Sequence, residues 1–299
     1  MAVHKRAYRP YDGPLTRERW RFLVLPRYAF SELFQSRLLM AYIVLCFVPF
    51  LVEAAGVYLA HSPAARLVLD LPEVAGARIV QPEAFLGALR LQGFLAFFLA
   101  AWVAPVLVSP DLVNGALPLY LSRPFSRGEY ILGKMTVLVA LLSLVTWVPL
   151  LTVFFLQAGL ADQWLMSNLR VGFALFVGSW IWVAVLTVLG LAVSACIRWR
   201  IVATGAMFGI FFMGAAFGEM WVGVLENAWG RLANVTYLVN IVWRDLFGLL
   251  AEDRVRRGVL VGRGLDDLPP WAAWAGIIAL CVLCLWLLNR RLQAREVVA

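Results

Sequence analysis

Six apolar segments, separated by shorter polar stretches, limit what this chain of 299 residues can fold into. A helix needs roughly 20 apolar residues to cross a hydrocarbon core about 30 Å thick. The six segments have that length or come close to it: 38–60, 84–108, 135–157, 171–197, 201–225 and 271–288. Since 63% of the residues are apolar and only 15% are charged, no soluble core could hold them all. The sequence therefore predicts an integral membrane protein.

Helices are the secondary structure that fits these segments. Lipid offers no hydrogen-bond partner to the backbone, and the segments lack the alternating pattern of barrel strands. The longest stretch outside a span runs from Glu226 to Pro270, so we expect one all-α membrane domain over 1–299. It divides into a cytoplasmic arm, a six-span bundle and a cytoplasmic tail, at 1–37, 38–288 and 289–299.

The basic residues predict the orientation of the chain. Sixteen of the 26 Lys and Arg residues fall in the arm, the 109–134 connector, the 198–200 turn and the tail. The positive-inside rule then places both termini in the cytoplasm. We read the net charge of +8 as this topology signal and expect no nucleic-acid partner.

Two segments outside the spans are apolar enough to lie against the bilayer. In the arm, Phe30, Leu33 and Phe34 recur at helical spacing after Pro26, which predicts an interfacial helix before the first span; an unstructured basic arm is the alternative. Residues 237–250 are apolar but too short to span, and predict an outer-leaflet or re-entrant helix between spans five and six.

The connector between spans two and three has the densest polar pattern. Ser109-Pro110 can cap and open a short helix over 110–117, which Pro118 should end. Ser126-Arg127-Gly128-Glu129 is a capping box, so the helix of the third span should begin there. The connector is thus predicted to carry a stiff helix parallel to the membrane.

This connector resembles the cytoplasmic coupling segment of ABC-2-type permeases. The resemblance rests on an acidic residue, a following Gly, an apolar stretch, a Ser-Arg-Pro-x-Ser-Arg element and a closing Gly133-Lys134. Relatives often carry a Glu where this chain has Pro118, so an ionic contact made by that Glu is not carried over. The resemblance implies that the ATPase contacts Asp111, Asn114, Gly115, Leu117, Tyr120, Leu121, Ser122, Arg123, Pro124, Ser126 and Arg127.

The resemblance also implies the partners and the direction of transport. A permease of this kind is not an enzyme: it pairs with a second copy or a similar permease, and two copies of an ATP-binding subunit hold the ATP and Mg²⁺. This chain would hold no cofactor, and it would export its cargo across the bacterial cytoplasmic (inner) membrane. Gly128 to Lys134 matches part of a phosphate-binding loop, but Met135 follows where Ser or Thr is needed, so we expect no ATP site here.

Three ionisable residues lie inside spans at a similar depth, roughly 9–11 Å from the predicted outer end. They are Glu53, Arg90 and Glu219. Charges inside a bilayer normally face a partner or a wet cavity. We predict either that Arg90 pairs with one of the two carboxylates, or that some of the three line an outward cavity.

The fifth span carries two Gly-x-x-x-Gly pairs, Gly205 with Gly209 and Gly214 with Gly218. At 100° per residue the two pairs fall on opposite faces, which predicts close helix packing on both sides. The fifth span is therefore expected to be central in the bundle or at a subunit interface.

The residues leave two other kinds of function open and argue against a third. A scaffold or sensor subunit that translocates nothing, and a proton-driven transporter using the two intramembrane carboxylates, both remain compatible. A membrane enzyme would need clustered carboxylates or an intramembrane His, whereas Asp266-Asp267 stands alone in a loop. Cys281 and Cys284 have metal-pair spacing but no accompanying His or second pair, so we predict no metal site.

Overall fold

A computed structural model describes residues 22–62, 80–115, 126–161, 163–225, 227–250 and 268–291. These residues form α-helices joined by short turns, together with the 3₁₀ helix Ala228–Ala233. The α-helices are α1 (Val24–Leu33), α2 (Arg37–Cys46), α3 (Val48–His61), α4 (Pro82–Val113), α5 (Arg127–Val145), α6 (Trp147–Leu160), α7 (Trp164–Ser167), α8 (Leu169–Cys196), α9 (Arg200–Leu225), α10 (Val235–Phe247) and α11 (Pro270–Arg291).

Six helical stretches in the described part of the chain are long and apolar enough to cross a membrane. They are Arg37–His61, Pro82–Val113, Arg127–Leu160, Leu169–Cys196, Arg200–Val224 and Pro270–Arg291. The predicted all-α architecture with six spans is therefore confirmed. The third stretch begins at Arg127, before the predicted apolar segment 135–157, because the predicted capping box starts the helix there.

The core of the bundle is formed by spans two, three and four. Between 61% and 72% of their most apolar windows is buried, against 17% to 28% for spans one, five and six. Helices α4 and α8 approach closely at Gly190, where an added Cβ would lie 2.7 Å from Ala104 Cβ. Small residues permit such an approach between membrane helices.

The fifth span lies at the edge of the single chain, so it is not central in the bundle, and its place at a subunit interface stays a prediction. On one face an added Cβ at Gly214 would lie 2.7 Å from Ala233 O, and one at Gly218 would lie 3.3 Å from Gly230 O. This face packs against the 3₁₀ helix. On the other face, no described atom lies within 4 Å of an added Cβ at Gly205. At Gly209 the nearest is Met213 Sδ at 4.0 Å.

The expectation of a separate helix starting at Pro110 is wrong. Helix α4 runs without interruption to Val113 and contains Pro110. Ser109 is not a cap, because it is buried and hydrogen-bonded to the end of α8. The rest of the predicted coupling helix, from residue 116 to 117, lies outside the described residues.

Helices α1 and α10 correspond to the two predicted segments outside the spans. Helix α1 packs against α5, where an added Cβ at Gly133 would lie 3.0 Å from Leu25 Cδ1. Helix α10 begins at the side-chain cap Asn234 and ends at Gly248, whose φ of 79° suits glycine. Seven of its residues are buried, so α10 is built into the bundle and does not lie loosely over it.

Candidate functional site

The two helices that flank the connector are joined by a buried polar cluster. Asp111, in the last turn of α4, accepts a hydrogen bond from the Tyr130 hydroxyl at 2.7 Å. The same oxygen, Oδ2, lies 2.8 Å from Lys134 Nζ. Tyr130 is 1% exposed, and the Lys134 ammonium lies 5.5 Å from the centre of its ring. We call Asp111, Tyr130 and Lys134 the brace.

The start of α5 determines which side chains enter the brace. Ser126 Oγ accepts from Glu129 N at 3.2 Å, and Glu129 Oε2 accepts from Ser126 N at 2.6 Å. With the first turn fixed in this way, Tyr130 and Lys134 are four residues apart and share one face of the helix. That face meets the last turn of α4, so a carboxylate there contacts both.

A second polar contact joins the end of α4 to the turn after span four. Ser109 N donates to Ser194 Oγ at 3.1 Å, and the Ser109 hydroxyl lies 2.9 Å from Ile197 O. The described ends of the connector, at 109–115 and 126–134, the turn at 197–199 and helix α1 therefore lie at one end of the bundle, which we call the connector end. This arrangement agrees with spans that alternate in direction.

Some of the predicted ATPase-contact residues are described by the structure, and the others are not. Asn114, Gly115, Ser126 and Arg127 are exposed at the connector end, whereas Asp111 is mostly covered by the brace. Their role stays a prediction. The remaining ones lie outside the described residues: Leu117, Tyr120, Leu121, Ser122, Arg123 and Pro124.

Sequence reasoning missed Tyr130 and Lys134 as partners of Asp111. The available signal was one acidic and one basic residue at the two ends of a short connector between antiparallel helices. The Tyr130 hydroxyl, one helical turn before Lys134, strengthened that signal.

The three intramembrane charges are not brought together. Arg90 donates from Nη2 to Asn240 Oδ1 at 2.7 Å, because α10 folds into the bundle beside α4. Glu219 instead lies 3.3 Å from Arg231 Nε, which the 3₁₀ helix supplies. Glu53 is on α3, in the least buried span. The predicted pairing of Arg90 with Glu53 or Glu219 is therefore wrong, while Arg90 does line a cavity.

The ion pair of Arg231 lies at the end of the bundle opposite the connector. Burial lowers the pKa of Arg231, but the hydrogen bonds and charges of Tyr237 and Glu219 outweigh burial and raise the pKa above its usual value. Arg231 Nη1 donates to the Tyr237 hydroxyl at 3.3 Å. Within the described ranges, no three His, Cys, Asp or Glu side chains are grouped to hold a metal ion.

Comparison with known proteins agrees with the helical architecture and the connector pattern. The family model described as ABC-2 family transporter protein matches residues 30–288, which is most of the chain. No curated protein matches it. The match covers five of the spanning helices, most of the sixth and the brace, and this chain therefore belongs to the ABC-2 family of transporter membrane proteins.

Proposed function

We propose that this chain is the membrane subunit of an ATP-driven exporter. Two copies of a separate ATP-binding subunit bind ATP and Mg²⁺ and carry out the hydrolysis, so the chain itself is not an enzyme. It pairs with a second copy or a similar permease in the bacterial cytoplasmic membrane, with both termini in the cytoplasm. Family membership supports the transport role and the need for an ATP-binding partner.

The brace is the observation that carries the proposal. A partner can move spans two and three together only if the connector cannot bend freely between them. Asp111 and Lys134 are 23 positions apart in the chain, yet their charged atoms lie 2.8 Å apart. A push on the connector is therefore transmitted to α4 and α5 as one unit. The Ser109 contact extends this unit to the end of α8.

The exposed residues beside the brace offer a surface for the ATP-binding subunit. Asn114 and Gly115 follow the end of α4, Ser126 caps α5 and Arg127 is the first residue of α5. Gly115 has a φ of 63°, so the chain turns sharply there as it leaves the helix. The two described ends of the connector are thus exposed side by side, next to the brace.

A proton-driven transporter is less well supported. Such a transporter needs carboxylates that can release protons along the path. Glu219 forms an ion pair with Arg231 and its side chain is 55% exposed, and Glu53 lies on a different, peripheral helix. A scaffold or sensor role uses the same brace and the same ATPase, so only a transport assay separates it from export.

The first experiment tests the ATPase partner. The affinity-tagged chain is expressed in its native host and purified with the proteins bound to it, and Arg127→Glu is compared with Arg290→Glu, an exposed cation of α11. We expect co-purification and stimulated ATP hydrolysis to fall several-fold for Arg127→Glu only. If no ATP-binding subunit co-purifies with the native chain, or if both variants behave like it, the proposal is wrong.

A second experiment tests which side of the membrane holds the connector. Single cysteines are placed at Asn114 and at Met166, which is 75% exposed on α7, in a chain whose native cysteines are replaced. An impermeant maleimide should label Asn114→Cys in inside-out vesicles only and Met166→Cys in right-side-out vesicles only. The opposite pattern would place the connector on the wrong side for ATP-driven coupling.

A further inference from the structure

A cavity of about 310 Å³ lies between α4, α8, α9 and α10. Its volume is at the lower end of the range of small-molecule pockets, about 300–1,000 Å³. Each of the four helices contributes at least one aromatic side chain to its wall: Phe94, Phe97, Trp182, Phe211, Phe212 and Trp243. The cavity is therefore walled mainly by carbon rings.

The rings of the wall hold one another in place. The ring centroids of Phe97 and Phe211 lie 4.7 Å apart. Trp182 packs edge-on against both Phe211 and Trp243, with centroid distances of 5.7 Å and 5.9 Å. These four side chains are only 4% to 5% exposed. A ligand ring can join the same edge-to-face arrangement, which stabilises aromatic pairs beyond the burial of their area.

The two indole N–H groups of the wall are not available to a ligand. Trp182 Nε1 donates to Gly93 O at 2.8 Å, and Trp243 Nε1 donates to Gly178 O at 2.9 Å. An indole has no other hydrogen-bonding group. The two tryptophans therefore present only carbon to the cavity, and their hydrogen bonds fix the orientation of both rings.

Arg90 and Asn240 form a polar contact in the same wall. Arg90 Nη2 donates to Asn240 Oδ1 at 2.7 Å, and Arg90 has a further interaction besides this one. The guanidinium is thus engaged within the protein. Because a guanidinium only donates, the amide oxygen of Asn240 must face it and the amide NH₂ must point elsewhere.

The Asn240 NH₂ is the donor that remains for a ligand. Within the described part of the chain this NH₂ makes no hydrogen bond, and the protein does not close it off, since Asn240 borders the cavity. The nearby Thr236 hydroxyl, in contrast, donates to Asn234 Oδ1 at 2.7 Å. A donor without an acceptor in apolar surroundings is unfavourable, so a complementary ligand places an acceptor oxygen at Asn240.

The cavity favours a ligand without net charge. An anion would leave water for a wall of rings in which Arg90 is already engaged. A cation would lie beside the positive charge of Arg90. Burial of a charge without a partner is unfavourable, and an uncharged ligand avoids that cost.

The opening of the cavity lies at membrane depth. Phe94 on α4 and Phe212 on α9 line the cavity and are 54% and 57% exposed. Both helices are long and apolar enough to span the membrane. A ligand therefore enters through an apolar part of the surface, which suits an uncharged molecule that dissolves in lipid.

We propose that this cavity binds an uncharged aromatic compound that carries a carbonyl oxygen, such as a bicyclic aryl ketone. The rings of the ligand pack edge-on against the aromatic wall. Its carbonyl oxygen accepts a hydrogen bond from the Asn240 NH₂. Binding is a property of the single chain and does not depend on the exporter function proposed above.

The test is equilibrium binding to the purified chain in nanodiscs of zwitterionic lipid, without an ATP-binding subunit. Empty nanodiscs give the partition of each probe into lipid, which is subtracted. We expect saturable binding of 2-acetylnaphthalene. The analogue 2-isopropenylnaphthalene has a CH₂ in place of the oxygen and should bind about tenfold less tightly, because the Asn240 NH₂ then meets no acceptor.

Two further probes test the charge and the rings of the ligand. The anion 2-naphthoate has a carboxylate in place of the acetyl group and should bind at least about tenfold less tightly than the ketone. The aliphatic ketone 2-dodecanone has as many non-hydrogen atoms as 2-acetylnaphthalene but no ring, and should bind at least about threefold less tightly. Tighter binding of 2-naphthoate, or equal binding of 2-dodecanone, contradicts the proposed ligand class.

Substitutions then locate the binding site. Asn240→Leu should weaken 2-acetylnaphthalene about tenfold and 2-isopropenylnaphthalene less than about twofold, so that the preference for the ketone disappears. Asn289→Leu, at an exposed position of α11, is its matched control and should bind both probes like the native chain. Ala215→Phe fills the cavity and should weaken both probes, whereas Val224→Phe, exposed on α9, should weaken neither.

Three further results overturn the inference. They are equal affinity of the native chain for the ketone and 2-isopropenylnaphthalene, an unchanged preference in folded Asn240→Leu, and unchanged binding in folded Ala215→Phe. If Asn240→Leu does not fold, the first and third results still decide. A failure of the exporter proposal looks different, because then no ATP-binding subunit co-purifies while the ketone still binds.

Discussion

Substituting Asp111 or Lys134 should lower the free energy of unfolding, because each substitution breaks the ion pair of the brace. We consider Asp111→Asn, Lys134→Met and the double variant. Lys134→Met leaves the Asp111 carboxylate with the Tyr130 hydroxyl but without its cation. Asp111→Asn leaves the Lys134 ammonium at the same place, still mostly buried but without its anion. Each single variant therefore strands one charge, and the double variant strands neither.

The magnitude follows from the burial of the pair. Removing one partner of a fully buried ion pair costs about 3–5 kcal/mol. Here 11% of the Lys134 side chain and 17% of the Asp111 side chain remain exposed, so water screens part of the loss. We expect each single variant to lower the free energy of unfolding by about 2–3 kcal/mol. The double variant should lose at least about 1.5 kcal/mol less than the sum of the two.

The assay is reversible unfolding of the purified chain in mixed micelles with increasing detergent denaturant. Arg198→Met removes an exposed cation at the same end and should change the unfolding free energy by less than about 0.5 kcal/mol. If the effects of Asp111→Asn and Lys134→Met simply add, the two side chains do not interact. The brace would then not exist as a mechanical link.

Three further substitutions test packing elsewhere. Gly93→Ala places a Cβ 2.9 Å from Trp243 Cη2, and this overpacking should lower the unfolding free energy by about 1–3 kcal/mol in the same assay. Ser109→Ala removes the hydroxyl's bonds to Ser194 O and Ile197 O and should cost about 1–3 kcal/mol, measured likewise. An added Cβ at Gly205 meets no described atom within 4 Å, so Gly205→Ile should leave the stability of the protomer unchanged and abolish the dimer that chemical cross-linking captures.

Each of these has an outcome that contradicts it. Gly87→Ala, with no described atom within 4 Å, is the control for Gly93→Ala and should be neutral or slightly stabilising. Equal stability of the two would mean that no tryptophan blocks the position. Native stability of Ser109→Ala would mean that the Ser109 hydroxyl does not contribute to the link from α4 to α8. A destabilised Gly205→Ile protomer would mean that this face is packed within the chain.

Much of the fold was predictable from local physics. Span positions follow from the length of the apolar segments, because the hydrocarbon core of a membrane stabilises an apolar helix that is long enough to cross it. The start of α5 followed from Ser126 and Glu129, since a capping box needs only four consecutive residues. The end of α4 was not predicted correctly. Pro110 is tolerated inside that helix, and Ser109 finds its partners on α8 instead of capping a new one.

Single residues of the candidate sites could be predicted from the sequence, but the partners of those residues could not. Asp111 was singled out by the resemblance of the connector, but its partners Tyr130 and Lys134 depend on how α4 and α5 meet. Arg90 was singled out as a charge inside a span. Its partner Asn240 is 150 positions away and comes from a helix that folds back into the bundle.

The sequence by itself determined how many helices cross the membrane, the charge bias that orients them and the family to which the chain belongs. Apolar length and basic residues act locally, so no neighbour is needed to read them. Only the tertiary structure decided which spans form the core, which charges meet and where the cavity lies. Those outcomes depend on distances between helices remote in the chain, and a membrane helix carries no local record of its neighbours.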